Sequence, residues 1–305
     1  MNYHAVACRS LVRRFGVLLL LPALWLLGSC AQDDNTYTGP DYLQWADTLT
    51  TLPVVDNDSV FSITVSAMRS TDYDRTVAVE LLVDKSNAIQ GYHFDVLNHT
   101  AVIPAGQLTT EIKVRGYSSH LTVTDPLCFV LQLVTDDRNL NPLYGGTTKV
   151  MLQKACRFDI NNFVGWALVE STWIYNYMPQ ISERLIRVER DTTTRNRVIL
   201  RNWYYDGYDV HIDLTDDNIL TPDIHFEEQP FAPTTEAFGT IYGNGKIMMS
   251  EPAGYVSYYS ACEQFLILYT DLFVKNVGTV GTFVHIVKYV SDAEAELMIK
   301  NGVSH

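Results

Sequence analysis

The stretch Phe61–Ala67 has the sequence FSITVSA, in which apolar residues alternate with polar ones. Val77–Val83 (VAVELLV) and Phe129–Leu133 (FVLQL) keep much the same period of two. Such a period places every second side chain on one face of an extended strand, so it indicates half-buried antiparallel strands. About seven strand patterns fall between Tyr42 and Leu152, a spacing typical of a β-sandwich.

A second set of strand patterns begins near Phe158. It comprises Ala167–Tyr177, Leu185–Glu189, Arg197–Tyr205, Tyr208–Leu214, Phe238–Tyr242, Lys246–Met249, Phe265–Leu272 and Thr282–Val290. Asp206-Gly207 favours a two-residue type I′ hairpin, which needs positive φ at both central residues, and Gly243–Gly245 favours another tight hairpin. Helix signals appear at the C-terminus, where Ser291 and Glu294 predict a capping box and Asn301-Gly302 a stop.

These patterns predict an all-β chain with a short C-terminal helix. The first domain, residues 41–154, is expected to be an Ig-like sandwich, and the second, residues 155–305, an antiparallel β-sandwich or barrel. Residues 1–29 are predicted to be a signal peptide. Arg9, Arg13 and Arg14 precede an apolar run of 13 residues, Phe15–Leu27, which is shorter than the roughly 20 residues that a membrane-spanning helix needs.

The leader ends in Leu27-Gly28-Ser29-Cys30, which resembles the lipobox of bacterial lipoproteins. The resemblance implies that Cys30 is lipidated, for example with palmitate, and becomes the mature N-terminus, with residues 30–40 as a short tether. Gln32-Asp33-Asp34 resembles a signal by which Bacteroidota export lipoproteins to the cell surface. The predicted location is therefore the cell outer membrane, with the protein exposed at the surface.

The segment Ala88–Phe94, followed by Val102–Gln107 and Ile112–Val114, resembles the Calx-β pattern. The whole chain resembles Bacteroidota surface lipoproteins of unknown function, in which a Calx-β-like sandwich precedes an all-β domain. In calcium-binding Calx-β members an aspartate of the first turn helps to hold the ion, and His93 takes its place here. Histidine is a poor ligand for a cation that prefers oxygen, so no cofactor is expected.

Charge and cysteine content restrict the partners. The chain has 35 acidic and 22 basic residues, which argues against nucleic acid, because binding to phosphates depends on Lys and Arg. The expected partners are the outer membrane, through the anchor, and a glycan or another envelope protein. Cys128 lies in a strand pattern and is expected in the core, whereas Cys156 and Cys262 are able to form a disulfide in an exported chain.

Three groups of polar residues have a functional and a structural interpretation. Five aspartates lie next to predicted strands, where they are either calcium ligands or ordinary turn residues. They are Asp56, Asp58, Asp84, Asp136 and Asp137. Asp209, His211 and Asp213 share one strand face, as an acid–base or metal site or as the solvent face of a strand. Glu227-Glu228 is an adjacent pair whose side chains would diverge on a strand, which disfavours glycoside hydrolysis.

Aromatic residues form three groups in the second half of the chain. They are Trp173/Tyr175/Tyr177, Trp203/Tyr204/Tyr205 with Tyr208, and Tyr255/Tyr258/Tyr259. Such rings either fill a β core or form an exposed platform for sugars, since each joins an apolar face to a polar tip. Trp203, Tyr205 and Tyr208, at the predicted hairpin tip, are the candidate ligand-binding residues.

The function expected from these features is binding at the cell envelope, with a glycan as one candidate ligand and no catalytic residue identified. An extracellular hydrolase that acts on polysaccharide or peptide is one alternative, and it predicts a cleft where titratable residues converge. A fimbria-like structural subunit is another, and it predicts an unpaired edge strand or a detachable terminal strand.

Overall fold

The computed structural model describes residues 37, 39–135 and 139–305. The first nine strands are β1 Leu43–Trp45, β2 Leu49–Val54, β3 Ser59–Ala67, β4 Arg75–Leu81, β5 Phe94–Val96, β6 Thr100–Ile103, β7 Thr109–Gly116, β8 Leu127–Val134 and β9 Thr147–Lys154. They form two sheets, in the orders β1-β3-β7-β5 and β2-β9-β8-β4-β6. The two sheets contribute to one apolar cluster, which gives the predicted β-sandwich.

The core of the sandwich contains the residues that the period of two placed inside. Ile63 and Val65 of β3 are buried, as are Val77 and Val79 of β4. Phe94 stacks on Phe129 with ring centroids 4.0 Å apart. The alternation stops earlier than expected in β4. The strand ends at Leu81, and Val83 lies in a 3₁₀ turn with 73% of its surface exposed.

The turns before β5 and β7 have the backbone that their sequence predicts. Gly91 and Gly106 have φ values of +81° and +77°, in the left-handed region that favours glycine. His93 has a structural role in the first of these turns, because its Nδ1 accepts a hydrogen bond from the Ile89 N–H at 2.9 Å. Burial, together with the nearby His120, lowers the pKa of His93.

The second half of the chain forms a single large antiparallel sheet. Its strands are β10 Gly165–Ser171, β11 Arg184–Arg190, β12 Arg197–Arg201, β13 Val210–Leu214, β14 Asp223–His225, β15 Gln229–Pro233, β16 Lys246–Ser250, β17 Ser257–Ser260, β18 Phe265–Val274 and β19 Gly278–Val290. Eight strands pair in the order β10-β11-β12-β13-β14-β17-β18-β19, and β19 pairs again with β10. The sheet therefore closes into a barrel, one of the two predicted arrangements.

Strands β15 and β16 extend the barrel wall, because β16 pairs with the C-terminal half of β18. The helix α2, Thr234–Phe238, lies between them in the chain. The strand predicted at Phe238–Tyr242 was therefore wrong. Gly243–Gly245 forms a turn just before β16, in the longer connection from α2 and not in a tight hairpin.

A short helix, α1 (Thr172–Tyr177), follows β10 directly. The strand predicted over Ala167–Tyr177 was therefore wrong in its second half. The chain changes conformation at Ser171, whose Oγ caps the helix by accepting a hydrogen bond from the Ile174 N–H at 3.1 Å. Trp173 and Ile174 then enter the apolar cluster that fills the barrel.

The helix at the C-terminus is confirmed. Helix α3, Asp292–Lys300, begins after Ser291 with a complete capping box to Glu294. Ala295 is fully buried against Leu168 and Leu185 on the outside of the barrel wall.

The two sets of strands meet near Cys156. The last strand of the sandwich ends at Lys154 and the first barrel strand begins at Gly165, while the division into domains at residue 154 stays a prediction. Cys156 forms a disulfide with Cys262 in the turn between β17 and β18, with a Cα–Cα distance of 5.1 Å. Cys128 has a free thiol and is half-buried in β8. The prediction that it lies in the core was wrong, because Phe129 and Leu131 of the same strand fill the core and Cys128 is on the other face.

Candidate functional site

The predicted platform at Trp203, Tyr205 and Tyr208 does not have exposed rings. Trp203 is fully buried and Tyr205 is 7% exposed, so a sugar cannot stack on either ring in this conformation. Tyr208 is half-buried and packs against the barrel core. The predicted type I′ hairpin is absent, because residues 202–209 form a longer loop in which Gly207, but not Asp206, has positive φ. The loop folds its aromatic side chains into the barrel.

Tyr204 of the same loop reaches a buried chain of polar groups. Its hydroxyl donates to Ser171 Oγ at 2.9 Å and lies 2.8 Å from His285 Nδ1. His285 Nε2 lies 2.9 Å from Thr270 Oγ1. Burial lowers the pKa of His285 to about 3 and raises that of Tyr204, so both groups are neutral near pH 7. These hydrogen bonds satisfy the buried hydroxyl and imidazole groups inside the barrel, and none of the four side chains lines the cleft described below.

Asp209, His211 and Asp213 lie on the outer face of the barrel, as the structural interpretation predicts. Arg197 donates two hydrogen bonds of 2.7 Å to Asp213. Arg201 binds Asp209 at 2.6 Å. His211 is exposed, and among the described residues its hydrogen bonds are made by its backbone, with Gln229. The carboxylates therefore serve in ion pairs between strands.

The other acidic candidates also have structural roles. Asp56 Oδ1 accepts hydrogen bonds from the Asp58 N–H and the Ser59 hydroxyl, which closes the turn before β3. Asp84 lies in the 3₁₀ turn after β4, and Glu228 pairs with Lys275. Within residues 39–135 and 139–305, no three His, Cys, Asp or Glu side chains are grouped as metal ligands would be. The predicted Asp136 and Asp137 lie outside the described residues.

An open cleft lies beside the Cys156–Cys262 disulfide and has a volume of about 440 Å³. One wall is the outer face of the barrel at β14, β17 and β18, and another is the loop Ile219–Pro222. Val123 and the end of β9 of the sandwich, Gln153 and Lys154, also line it. The cleft is large enough for a ligand of small-molecule size.

Tyr258 supplies an accessible aromatic ring in the cleft. The residue is 39% exposed and its neighbour Val256 is 62% exposed. Asp223 of β14 lies directly opposite Tyr258 of β17 in the antiparallel pairing, which brings their Cβ atoms to about 5 Å. Phe265 packs edge-on to the Tyr258 ring at 6.3 Å. The apolar face of Tyr258 and the carboxylate of Asp223 therefore lie side by side in the cleft.

The alternation of β17 explains why Tyr258 faces the cleft. Tyr259, the next residue, points inward, is 2% exposed, and donates a hydrogen bond from its hydroxyl to the Thr215 carbonyl oxygen at 2.6 Å. Burial raises the pKa of Tyr259. Because successive strand residues point to opposite faces, the anchoring of Tyr259 inside turns Tyr258 outside. The disulfide fixes the turn that follows β17.

Sequence reasoning noted Tyr258 as an aromatic residue but did not select it. The tripeptide Tyr258-Tyr259-Ser260 does not show which tyrosine is outside, since both residues favour strands. No sequence pattern marks Asp223 or the loop Ile219–Pro222 as part of a site. Both come close to Tyr258 because β14 pairs with β17, and β15 and β16 separate those two strands in the chain.

The family of the chain follows from a match to residues 143–301, just over half of its length. The matching family is described as Domain of unknown function (DUF4984). The chain belongs to the DUF4984 family. The family region contains the whole barrel and helix α3, and therefore the barrel walls of the cleft. No curated protein matches the DUF4984 chain.

Several solved structures also match the DUF4984 chain, at low identity and low TM-score. A protein of unknown function from Bacteroides ovatus has 11% identity and a TM-score of 0.35, over 81% of this chain and 90% of that one. The apo form of the Calx CBD1 domain has 14% identity and a TM-score of 0.30, over 37% of this chain and 98% of that one. A candidate carbohydrate-binding protein from Bacteroides ovatus has 10% identity and a TM-score of 0.31, over 79% and 69% of the two chains. At these TM-scores the structures do not indicate a function.

The predicted membrane anchor lies outside the described residues, which begin at Tyr37. Cys30 and residues 1–29 are therefore not described by the structure, and their predicted roles stay predictions. Among the described helices, none has the length and hydropathy that crossing a bilayer requires.

Proposed function

We propose that this protein is a lipid-anchored binding protein of the bacterial cell envelope, and that the cleft at Tyr258 holds a neutral glycan. The single observation that carries the glycan proposal is the half-exposed Tyr258 ring opposite Asp223 in an open cleft. A sugar ring presents an apolar face of C–H groups and an edge of hydroxyl groups. The cleft offers the Tyr258 ring to the apolar face and the Asp223 carboxylate to the hydroxyl groups.

The aromatic wall supports stacking of one sugar ring. Tyr258 is exposed on one side, while its position is limited by the edge-on contact with Phe265 and by the strand itself. A ring that is already ordered loses little conformational entropy when a ligand stacks on it. Ile219 and Leu220 add apolar surface at the rim for a second sugar unit.

The charges in the cleft favour a neutral sugar. Asp223 and Glu263 provide carboxylate oxygens, which accept hydrogen bonds from sugar hydroxyls, and Lys154 provides a donor. A uronic acid or a sulfated sugar would bring its own negative charge toward two carboxylates and only one ammonium. Like charges at short range oppose binding.

The anchor part of the proposal rests on the sequence. Cys30 ends a lipobox-like motif, and the acidic residues that follow it resemble the Bacteroidota signal for surface export. Each buried CH₂ group of an acyl chain contributes about 0.8 kcal/mol to membrane binding, so several chains together hold a protein firmly. A surface location would bring the cleft into contact with extracellular glycans.

A glycan array tests the binding function. We expect the wild type to bind one or more neutral oligosaccharides and Tyr258→Ala to lose at least about tenfold in affinity, because the stacked ring is removed. Tyr73→Ala is the matched control, since Tyr73 is 60% exposed on the sandwich and lies outside the cleft. Absence of wild-type binding to any glycan, or equal binding by both variants and the wild type, would contradict the proposal.

A further inference from the structure

A second depression on the barrel, with a volume of about 400 Å³, contains two tyrosines. Tyr269 belongs to β18, and Tyr255 lies in the connection just before β17. We call it the Tyr269 depression. Its other lining residues are Thr172 and Asn176 of α1 and Thr282, Phe283 and Val284 of β19. These lining residues include no charged side chain, so the depression combines aromatic surface with neutral hydroxyl and amide groups.

Tyr269 and Tyr258 lie on the same outer face of the barrel. Leu268 and Thr270, the neighbours of Tyr269 in β18, are fully buried, so the alternation of the strand turns Tyr269 outward. The pairing of the strands places Tyr258 of β17 directly opposite Ile267, two residues before Tyr269. Tyr258 and Tyr269 are therefore diagonal neighbours, which lie within about 8 Å of each other in an antiparallel pair. The two rings are close enough for one ligand to contact both.

Tyr255 continues this aromatic surface beyond Tyr269. The two rings stack with centroids 5.1 Å apart and planes inclined by 28°. The contact holds Tyr255 in place, although 57% of its surface is exposed. The backbone at Tyr269 is fixed in turn, because its N–H donates to Ser257 Oγ at 2.9 Å. Rings that are already ordered lose little conformational entropy when a sugar stacks on them.

The far side of the Tyr269 depression offers polar groups that suit sugar hydroxyls. Asn176 is exposed on α1, and its amide both donates and accepts hydrogen bonds. The Thr282 hydroxyl donates to Asp271 Oδ1 and keeps lone pairs that accept from another donor. Because the lining residues carry no charge, the depression favours the same class of neutral sugar as the cleft at Tyr258.

We propose that the cleft at Tyr258 and the Tyr269 depression form one extended site for a neutral oligosaccharide. The chain of sugars would run from β17 across β18 and β19 toward α1. This inference rests on the glycan function proposed for the cleft and adds the length of the ligand, which is several sugar units and not one or two. A chain held at both places binds more tightly than one held at the cleft alone, because the second contact is intramolecular.

Titration calorimetry of the full folded chain with oligosaccharides of increasing length tests the extended site. The probes are cellulose, starch and mannan oligosaccharides, each from the disaccharide to the hexasaccharide. We expect the wild type to bind the hexasaccharide of at least one series at least about tenfold more tightly than its disaccharide, because only the longer chain reaches both places.

Variants assign this gain to the Tyr269 depression. Tyr255→Ala should remove most of the gain and leave the affinity for the disaccharide unchanged, and Asn176→Ala should act in the same direction. Tyr258→Ala should weaken the binding of both lengths. Tyr175→Ala is the matched control, because Tyr175 is 83% exposed on the same helix as Asn176 and does not line the depression.

The results separate this inference from the glycan proposal. If the disaccharide and the hexasaccharide bind equally and Tyr258→Ala weakens both, the cleft is a glycan site and the extended site is wrong. The extended site is also wrong if the folded Tyr255→Ala and Asn176→Ala variants both bind the hexasaccharide like Tyr175→Ala. If none of the series binds, the inference is overturned, and the glycan array decides separately on the cleft. A wild-type dimer that Tyr255→Ala converts to a monomer in analytical ultracentrifugation would assign the rings to self-association and overturn the inference as well.

Discussion

His285 shows how one buried residue links the barrel interior to pH. The side chain is fully buried and hydrogen-bonded on both ring nitrogens, to Tyr204 and Thr270. Burial lowers its pKa from 6.5 to about 3. In the unfolded chain the imidazole takes up a proton near pH 6.5, whereas the folded barrel resists protonation down to about pH 3. The contribution of His285 to the free energy of unfolding is therefore largest above pH 6.5 and is lost as the pH decreases toward 3.

His285→Gln tests this linkage, because glutamine keeps a donor and an acceptor but does not titrate. We expect the variant to be less stable than the wild type at pH 7 and its stability to change less between pH 6.5 and 4. The linkage of one histidine reaches about 1.4 kcal/mol per pH unit. Urea denaturation at several pH values measures the difference, with the exposed His211→Gln as the control. Equal pH slopes in the wild type and His285→Gln would contradict the assignment.

Residue-level prediction from sequence worked where a local pattern fixed the direction of a side chain. Ile63 and Val65 point into the core as the period of two requires. The local sequence pattern does not predict which single aromatic residues are exposed. Trp203 is inside because the loop after β12 folds back over the barrel, and Tyr258 is outside because Tyr259 is anchored inside. Both outcomes depend on distant partners.

At the scale of elements, helix α3 illustrates what a cap contributes. Ser291 Oγ accepts a hydrogen bond from the Glu294 N–H, and Glu294 Oε2 accepts one from the Ser291 N–H at 2.8 Å. The capped helix holds Ala295 against Leu168 and Leu185 on the barrel wall. The cap therefore supports packing as well as the helix itself.

Ser291→Ala should lower the free energy of unfolding by about 1 kcal/mol, because one N-terminal N–H group of the helix loses its acceptor. Urea denaturation followed by circular dichroism measures the change. Ser70→Ala, at an exposed serine outside any strand or helix, is the control and should have almost no effect. A Ser291→Ala variant as stable as the control would show that the cap does not contribute.

A strand or helix was predictable from sequence when the residues that determine it all lie within that element. The capping box of α3 and the alternation of β3 are of this kind. Helix α1 was missed because Trp173, Tyr175 and Tyr177 alternate like a strand, while the helix is set by the Ser171 cap and by burial of Trp173 and Ile174 in the barrel. Strand β14 has three residues, too few to show a period.

At the scale of the whole molecule, the predicted anchor and the proposed glycan site lie in different parts of the chain. Cys30 is expected to fix the chain to the membrane, while the candidate cleft lies at the barrel beside the Cys156–Cys262 disulfide. An anchored binding protein needs no basic membrane-binding patch, in agreement with a net charge of −13. The closure of β19 onto β10 was not predictable, because residues more than 100 positions apart form that pairing.

Cys30→Ser should move the protein from the membrane fraction to the soluble fraction, because the acyl chains are no longer attached. Fractionation and immunoblotting of cells that express each variant measure the distribution. Cys8→Ser, a substitution of the other leader-region cysteine, should leave the protein in the membrane fraction. Retention of Cys30→Ser in the membrane would show that the lipobox interpretation is wrong.

The most direct test of the glycan-binding account is hydrogen exchange of the wild-type chain with and without its best array glycan. Slower exchange is predicted for the backbone around Tyr258 and in the loop Ile219–Pro222, since the ligand would shield and order both. The buried loop at Trp203–Tyr208 should not change. Protection confined to that loop or to the sandwich, with none at Tyr258, would contradict the account.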